Sequence, residues 1–345
     1  MHFNISDIGK SVANLSKSVV DTATSATRNA SDAVSHLVDG RKQLAEERND
    51  LRSLLESSGD AFPGSDFRPS DRKMWMSELG PDRLRINQIV WPGTHDSATN
   101  GIGVPLVTRP FAECQTLSIY DQLAAGARAL DVRVEQSRHV AHGIIKSYSV
   151  DVILDDLKKF LAETEAEVVL LEIRTEFGHE DPPEFENYLV DQLGDVLIPH
   201  DEAVFGKTIA EVLPGRVICV WKPRKSPAPA AGSKLWGAGY LRDNWIDSFQ
   251  PKTKFDSNMK HLSEQPPVTE RRYFYRVENT VTPNAENPVV KMVDDEIMPY
   301  ARLFVSQAFA GGVANRLQVY STDFIDGDFV DLCAGVTHAR LEGQA

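Results

Sequence analysis

The order of strand-like and helix-like stretches along the 345 residues predicts an α/β fold built on parallel strands. The stretches 86–91, 127–134, 167–174, 215–221, 271–277 and 316–324 read as buried or half-buried strands. Amphipathic helical patterns lie between several of them, at 118–126, 149–165, 183–197 and 294–312. The composition agrees, because 41% hydrophobic residues are enough to bury a sizeable core. Length alone admits two domains of ~150 residues or a single α/β barrel of ~250.

Residues 1–60 differ from the rest. They are rich in Ser, Ala and Thr, contain no proline, and hold one aromatic residue, Phe3. Ile5, Ile8, Val12, Leu15 and Val19 form one stripe of a helix, and Leu37, Leu44 and Leu51 continue at a seven-residue step. This predicts a helical, partly disordered N-terminal extension that self-associates or lies on a membrane surface. Its polar face is mostly Ser, Thr and Asn, so electrostatic attraction to lipid would be small. Residues 57–73, with Pro, Gly, Ser and Asp, read as a linker. Residues 61–345 then form the second region, with 223–270 read as irregular.

The formal charge of −13, from 37 Lys and Arg against 50 Asp and Glu, makes nucleic acid a poor partner. Cys114, Cys219 and Cys333 are far apart, which points to neither a disulfide framework nor a zinc site and fits a reducing compartment. No apolar run reaches the ~18 residues of a membrane-spanning helix, and nothing resembles a secretory signal. The expectation is a cytoplasmic protein.

Chemistry concentrates in two segments. In WPGTHDSATN (91–100), Pro92-Gly93 is expected to turn the chain after a strand and set His95 and Asp96 at its C-terminal mouth, where parallel α/β folds build active sites. In GARALDVRVEQSRHVAHG (126–143), Arg133 ends a strand and His142 follows. Two histidines suit phosphodiester cleavage, since one accepts a proton from the attacking hydroxyl and the other protonates the leaving oxygen. A permanently charged Arg between them offsets the charge gathering on phosphate.

PGTHDS, the strand GARALDVR and the following His-Gly resemble, in order and spacing, the X domain of phosphatidylinositol-specific phospholipase C. Residues 75–340 also resemble a plant group of single-X-domain phosphodiesterases. The resemblance implies a distorted, incompletely closed (β/α)8 barrel of the TIM type. It implies that His95 is the general base, His142 the general acid, Asp96 the group that orients His142 and Arg133, and Arg133 the phosphate ligand. A late aspartate, Asp323 in VYSTDF, would hold the base histidine. Arg174, Lys222, Asp243 and Trp245 would contact the inositol, with Asp247 an alternative to Asp243. Tyr275 and Arg276 would line the mouth.

Animal relatives hold calcium through four residues whose counterparts here are Asp96, Asp131, Arg133 and Arg174. Two would-be carboxylates are therefore guanidinium groups, which implies a metal-independent, bacterial-type site with no cofactor. The implied reaction cleaves phosphatidylinositol-type lipids at a membrane surface to diacylglycerol and cyclic inositol phosphate. Two alternatives stay open: an inactive headgroup-binding scaffold, and the same chemistry on another phosphodiester lipid. Residues 1–60 are the one expected membrane-targeting element.

Overall fold

A computed structural model describes residues 42–230, 232–284 and 288–345. The chain divides into two compact units, 1–50 and 51–345. Residues 42–58 are helical (α1), and within the first unit Lys42 and Glu46 pair one turn apart at 3.8 Å. The stripe over 5–19 and the step at Leu37 lie outside the described residues.

In the second unit, eight parallel strands form a nearly closed barrel. They are β1 (Trp91–Thr94), β2 (Ala129–Val134), β5 (Val169–Thr175), β6 (Val217–Lys222), β7 (Trp236–Gly237), β8 (Leu241–Asp243), β9 (Phe274–Asn279) and β10 (Val319–Thr322). Their order is β7-β6-β5-β2-β1-β10-β9-β8, and the seam lies between β7 and β8. A short antiparallel hairpin, β3 (His139–His142) and β4 (Ile145–Ser149), extends from the end of β2.

The strand ladder begins later than the sequence pattern predicts. Ile86–Gln88 is a 3-10 turn, and Pro92-Gly93 lies inside β1 instead of turning the chain. Pro92 is tolerated there because the β1–β2 register starts only at Gly93↔Ala129, so its missing N–H removes no ladder bond. Gly93 is needed for close approach, since a Cβ at this position would stand 2.2 Å from Ser321 Oγ on β10.

Helices cover the barrel where caps and apolar spacing coincide. Ser149 caps α4 (Val150–Ala162) by accepting from Asp151 N, and Val150, Ile153, Leu154, Leu157, Phe160 and Leu161 form its buried face. Between β1 and β2, Ser118 caps α3 (Ile119–Ala124) in the same way. Phe185–Leu193 (α5) follows β5, and Ala301–Ala310 (α9) precedes β10. The chain ends on α10 (Gly327–Leu341), capped by Asp326 through Phe329 N.

One reading is corrected here. The 223–270 region holds β7, β8 and a three-turn helix, α7 (Pro251–Ser263). Periodicity missed α7 because polar side chains occupy inward positions: Asn258 donates to Glu278 O at 2.8 Å and Lys254 to Ile246 O at 3.0 Å. Asp331 is buried on α10 and accepts two bonds from Arg72, at 2.7 and 2.8 Å.

At the N-terminal end of the barrel, Arg128 and Glu167 are both fully buried. Glu167 Oε2 accepts from Arg128 Nε at 2.9 Å and Nη2 at 2.6 Å. The other carboxylate oxygen accepts Ser77 N and Oγ, each at 2.9 Å, which fastens α2 (Trp75–Leu79) beneath the strands. Glu167→Gln leaves the guanidinium uncompensated in an apolar setting. It is expected to cost about 3–5 kcal/mol, read as a lowered midpoint in denaturant titration with the m-value unchanged.

Candidate active site

His95 and Asp96 follow β1 directly, and Asp323 follows β10. The register Thr94↔Thr322 sets His95 beside Asp323 at the C-terminal mouth. Asp96 has φ 42°, a left-handed conformation open to aspartate, so the chain bends at once after delivering two consecutive side chains to the site. Behind the bend, Gln115 Nε2 donates to His95 O at 3.1 Å and to Thr322 O at 2.9 Å, locking the two strand ends together.

Each imidazole has a fixed tautomer. His95 Nδ1 lies 2.8 Å from Asp323 Oδ1, and His142 Nδ1 lies 2.8 Å from Ala112 O. Both partners are acceptors, so both Nδ1 atoms carry hydrogen and both Nε2 atoms face the site. His95 Nε2 is 3.7 Å and His142 Nε2 3.6 Å from the same oxygen, Asp96 Oδ2. That oxygen is buried and has no hydrogen-bond partner. Asp96 Oδ1 pairs with Arg133 Nε at 2.9 Å, while Arg133 Nη2 reaches Asp131 Oδ2 at 3.0 Å and His95 Nε2 at 2.9 Å.

These contacts set the electrostatics. Burial pulls the His95 pKa down, but Asp323 and then Asp96 outweigh both burial and Arg133 and raise it to about 9. The bond from Arg133 Nη2 needs an unprotonated Nε2, so protonating His95 releases that guanidinium arm. Asp131 resists burial and is held well below the usual carboxylate range by Arg133. Glu176, 3.8 Å from Arg133 Nη1, is shifted upward because burial outweighs the guanidinium.

The register Arg133↔Arg174↔Lys222 sets three cations side by side on β2, β5 and β6. One layer below, fully buried Glu172 forms an ion pair with Lys222 Nζ at 2.8 Å and accepts a hydrogen bond from Arg276 Nη1 at 2.5 Å. Asp243 binds Arg276 Nη2 at 2.9 Å, which favours it over Asp247 as the inward-facing carboxylate. The Trp245 ring stacks on His95 with centroids 5.6 Å apart, and Lys254 Nζ sits 4.3 Å from that ring. Tyr275 turns its hydroxyl to exposed Asn244 and packs in the cluster beneath the outer helices.

The structure thus gathers His95, Asp96, Arg133, His142 and Asp323 in one cage, with Arg174, Lys222, Asp243 and Trp245 along its wall. Sequence reasoning missed Glu172, Glu176, Gln115 and Lys254. For Glu172 a signal existed: a carboxylate inside the apolar run EVVLLEIR must find partners when buried.

A hard cation does not fit this donor set. Calcium needs ~6–8 oxygen ligands, whereas Asp96 Oδ1 and Asp131 Oδ2 are already paired with Arg133, and Arg174 stands at the remaining position.

At the mouth of the barrel, two tautomer-fixed histidines flank an arginine–carboxylate pair, an arrangement able to give and take protons beside a fixed positive charge. Residues 90–215 match the family model for phosphatidylinositol-specific phospholipase C, X domain. A 1-phosphatidylinositol phosphodiesterase of Listeria monocytogenes is 34% identical over 111 residues, covering 32% of this chain and 35% of that protein. PI-PLC X domain-containing protein 1 of Homo sapiens is 27% identical over 164 residues, covering 37% and 50%. The matches therefore span between about a third and a half of these relatives. Among solved structures, the phosphatidylinositol-specific phospholipase C from Listeria monocytogenes superposes with a TM-score of 0.63 at 20% identity, covering 77% of this chain and 98% of that one. This confirms the TIM-type barrel.

Asp323→Asn removes the largest influence that raises the His95 pKa. A base that works only unprotonated should then show the acid limb of its kcat/KM profile moved from about pH 9 to lower pH. A pH–rate profile of the variant beside the parent checks this.

Proposed function

We propose that the protein is a metal-independent phosphodiesterase that cleaves phosphatidylinositol-type lipids. The observation that carries this reading is the pair of Nε2 atoms set at 3.7 and 3.6 Å around Asp96 Oδ2, beside Arg133. His95 takes the proton of the inositol 2-hydroxyl at Nε2 as that oxygen attacks phosphorus. Arg133 leaves Nε2 for the phosphate oxygens and stabilises their charge. His142, protonated at both nitrogens, gives its Nε2 proton to the diacylglycerol oxygen as the P–O bond breaks. The products are diacylglycerol and a cyclic 1,2-inositol phosphate. Asp323 holds His95 in the required tautomer and steadies its imidazolium form. An internal nucleophile already next to phosphorus gives the step its proximity advantage.

Arg174, Lys222 and Asp243 support a polyhydroxylated headgroup by offering donors and an acceptor on one wall, with the Trp245 face as a stacking platform. The chain meets lipid through its mouth: Leu106 is 94% exposed, Ile144 93% and Phe177 80%, beside Val104, Val107 and Phe111. Ile144 is two residues from His142, and Phe177 follows Glu176, whose carboxylate accepts Gly143 N. Among the described residues no helix is long and apolar enough to cross a membrane. The structurally similar phosphatidylinositol-specific phospholipase C of Staphylococcus aureus binds membranes. We place the contact as peripheral and transient. A cytoplasmic setting accords with the three free, buried thiols; residues 1–60 would be a second point of attachment.

Release of water-soluble inositol phosphate from phosphatidylinositol micelles is expected to survive EDTA. It should fall by about 10²–10⁴ in His95→Ala and in His142→Ala. A calcium requirement would sink the metal-independent reading, and headgroup binding without turnover in the parent would favour a scaffold.

Leu106→Asp and Ile144→Asp are expected to weaken activity on vesicles by roughly tenfold or more each, the effect of losing one buried side chain. Activity on a dispersed short-chain substrate should be retained. Equal losses on both substrates would remove the rim from the lipid contact.

A further inference from the structure

Cys114 lies in the wall of the site and has no part in the chemistry above. It is 2% exposed, and its backbone is pinned on both sides: its N–H donates to Thr99 Oγ1 at 2.9 Å and its carbonyl accepts Phe324 N at 2.8 Å. Cys114 Sγ, Asp96 carboxylate oxygen and a His142 ring nitrogen all lie within 4.8 Å of one another. Three facts make this trio a ligand set. Asp96 Oδ2 is buried and unpartnered. His142 Nε2, 3.6 Å away, is the nitrogen left with a lone pair, because Nδ1 is bound to Ala112 O. A backbone carbonyl on the far nitrogen is also the usual support that orients a metal-bound histidine. Two such ligands at ~2.0–2.2 Å from a tetrahedral ion would be about 3.3 Å apart, close to the spacing seen.

A second combination, His95, Cys114 and Asp323, is less suited, because His95 and Asp323 already spend their facing atoms on each other at 2.8 Å.

We propose that Cys114, His142 and Asp96 form an inhibitory site for a soft divalent cation of the zinc class, with water as the fourth ligand. The thiol loses its proton to solvent as the sulfur–metal bond forms. The ion keeps His142 Nε2 from carrying a proton, so the general acid is lost. Arg133 does not repel this complex as it would calcium, because thiolate and carboxylate together neutralise the ion and Arg133 stays on the opposite carboxylate oxygen, Oδ1. Soft sulfur and nitrogen donors also select zinc over magnesium and calcium. The loss of turnover rests on the reading of His142 as the acid; the binding itself does not.

The full chain, stripped with EDTA, is titrated with Co²⁺ as a spectroscopic stand-in and with chelator-buffered Zn²⁺. A near-ultraviolet thiolate-to-cobalt absorption is expected for the parent and should be absent in Cys114→Ser. The other two thiols are buried in apolar clusters, Cys219 on β6 in the barrel wall and Cys333 on α10. Groups that merely hold a metal ligand in place are worth ~10–100-fold in metal affinity, so losing a ligand should raise the inhibitory zinc concentration by about a hundredfold or more, with activity in EDTA unchanged. Absence of the absorption in the parent overturns the proposal without any variant. Equal zinc inhibition of parent and Cys114→Ser overturns it too. Absorption that appears and disappears as expected in a protein without turnover would keep the site and sink only the reading of the reaction.

Discussion

Arg133, Arg174 and Lys222 stand side by side on three adjacent strands, and the carboxylates one layer beneath them make that possible. Asp131 and Glu172 are register partners, so their side chains share the barrel face with the cations two residues further on. Each buried charge would be prohibitive alone, and each is offset by a neighbour of opposite sign. Arg276 extends the pattern across the barrel by joining Glu172, Asp243 and Glu278. The site is therefore the exposed top of a charge-compensated stack, and its cations are held in place before any substrate arrives. That preorganisation is what electrostatic stabilisation of a phosphate in reaction requires.

Much of this was legible in the sequence. Long strands such as β2, β5 and β6 announce themselves by apolar runs, and α4 by its spacing and Ser149 cap. The five residues of the cage were legible because consecutive or closely spaced polar groups at strand ends have few other purposes. Elements whose residues depart from a period were not. β7 and β8 are two and three residues long, too short to show alternation. α10 is buried on several sides and shows no single apolar stripe. The position of β1 was misread because a Pro-Gly pair normally ends a strand, and only the neighbouring strand's late start explains its place within one.

Partners separated along the chain were harder still. Glu176 and Gly143, or Ala112 and His142, meet only after the β3–β4 hairpin folds back over the mouth. Cys114 carried no motif, and its meaning comes entirely from the side chains that β1 and β3 deliver beside it. The cage is also more crowded than a list of roles implies: one carboxylate, Asp96, faces both histidines through one oxygen and the arginine through the other.

The first and last strands of the barrel are neighbours, and the bond that orients His95 comes from a residue 228 positions later. A ribosome therefore makes His95 long before it makes the group that holds it. A growing or prematurely terminated polypeptide has one half of the pair and not the other, as does any proteolytic fragment lacking the last strand. The pair is complete only once β10 has been made and slots between β9 and β1.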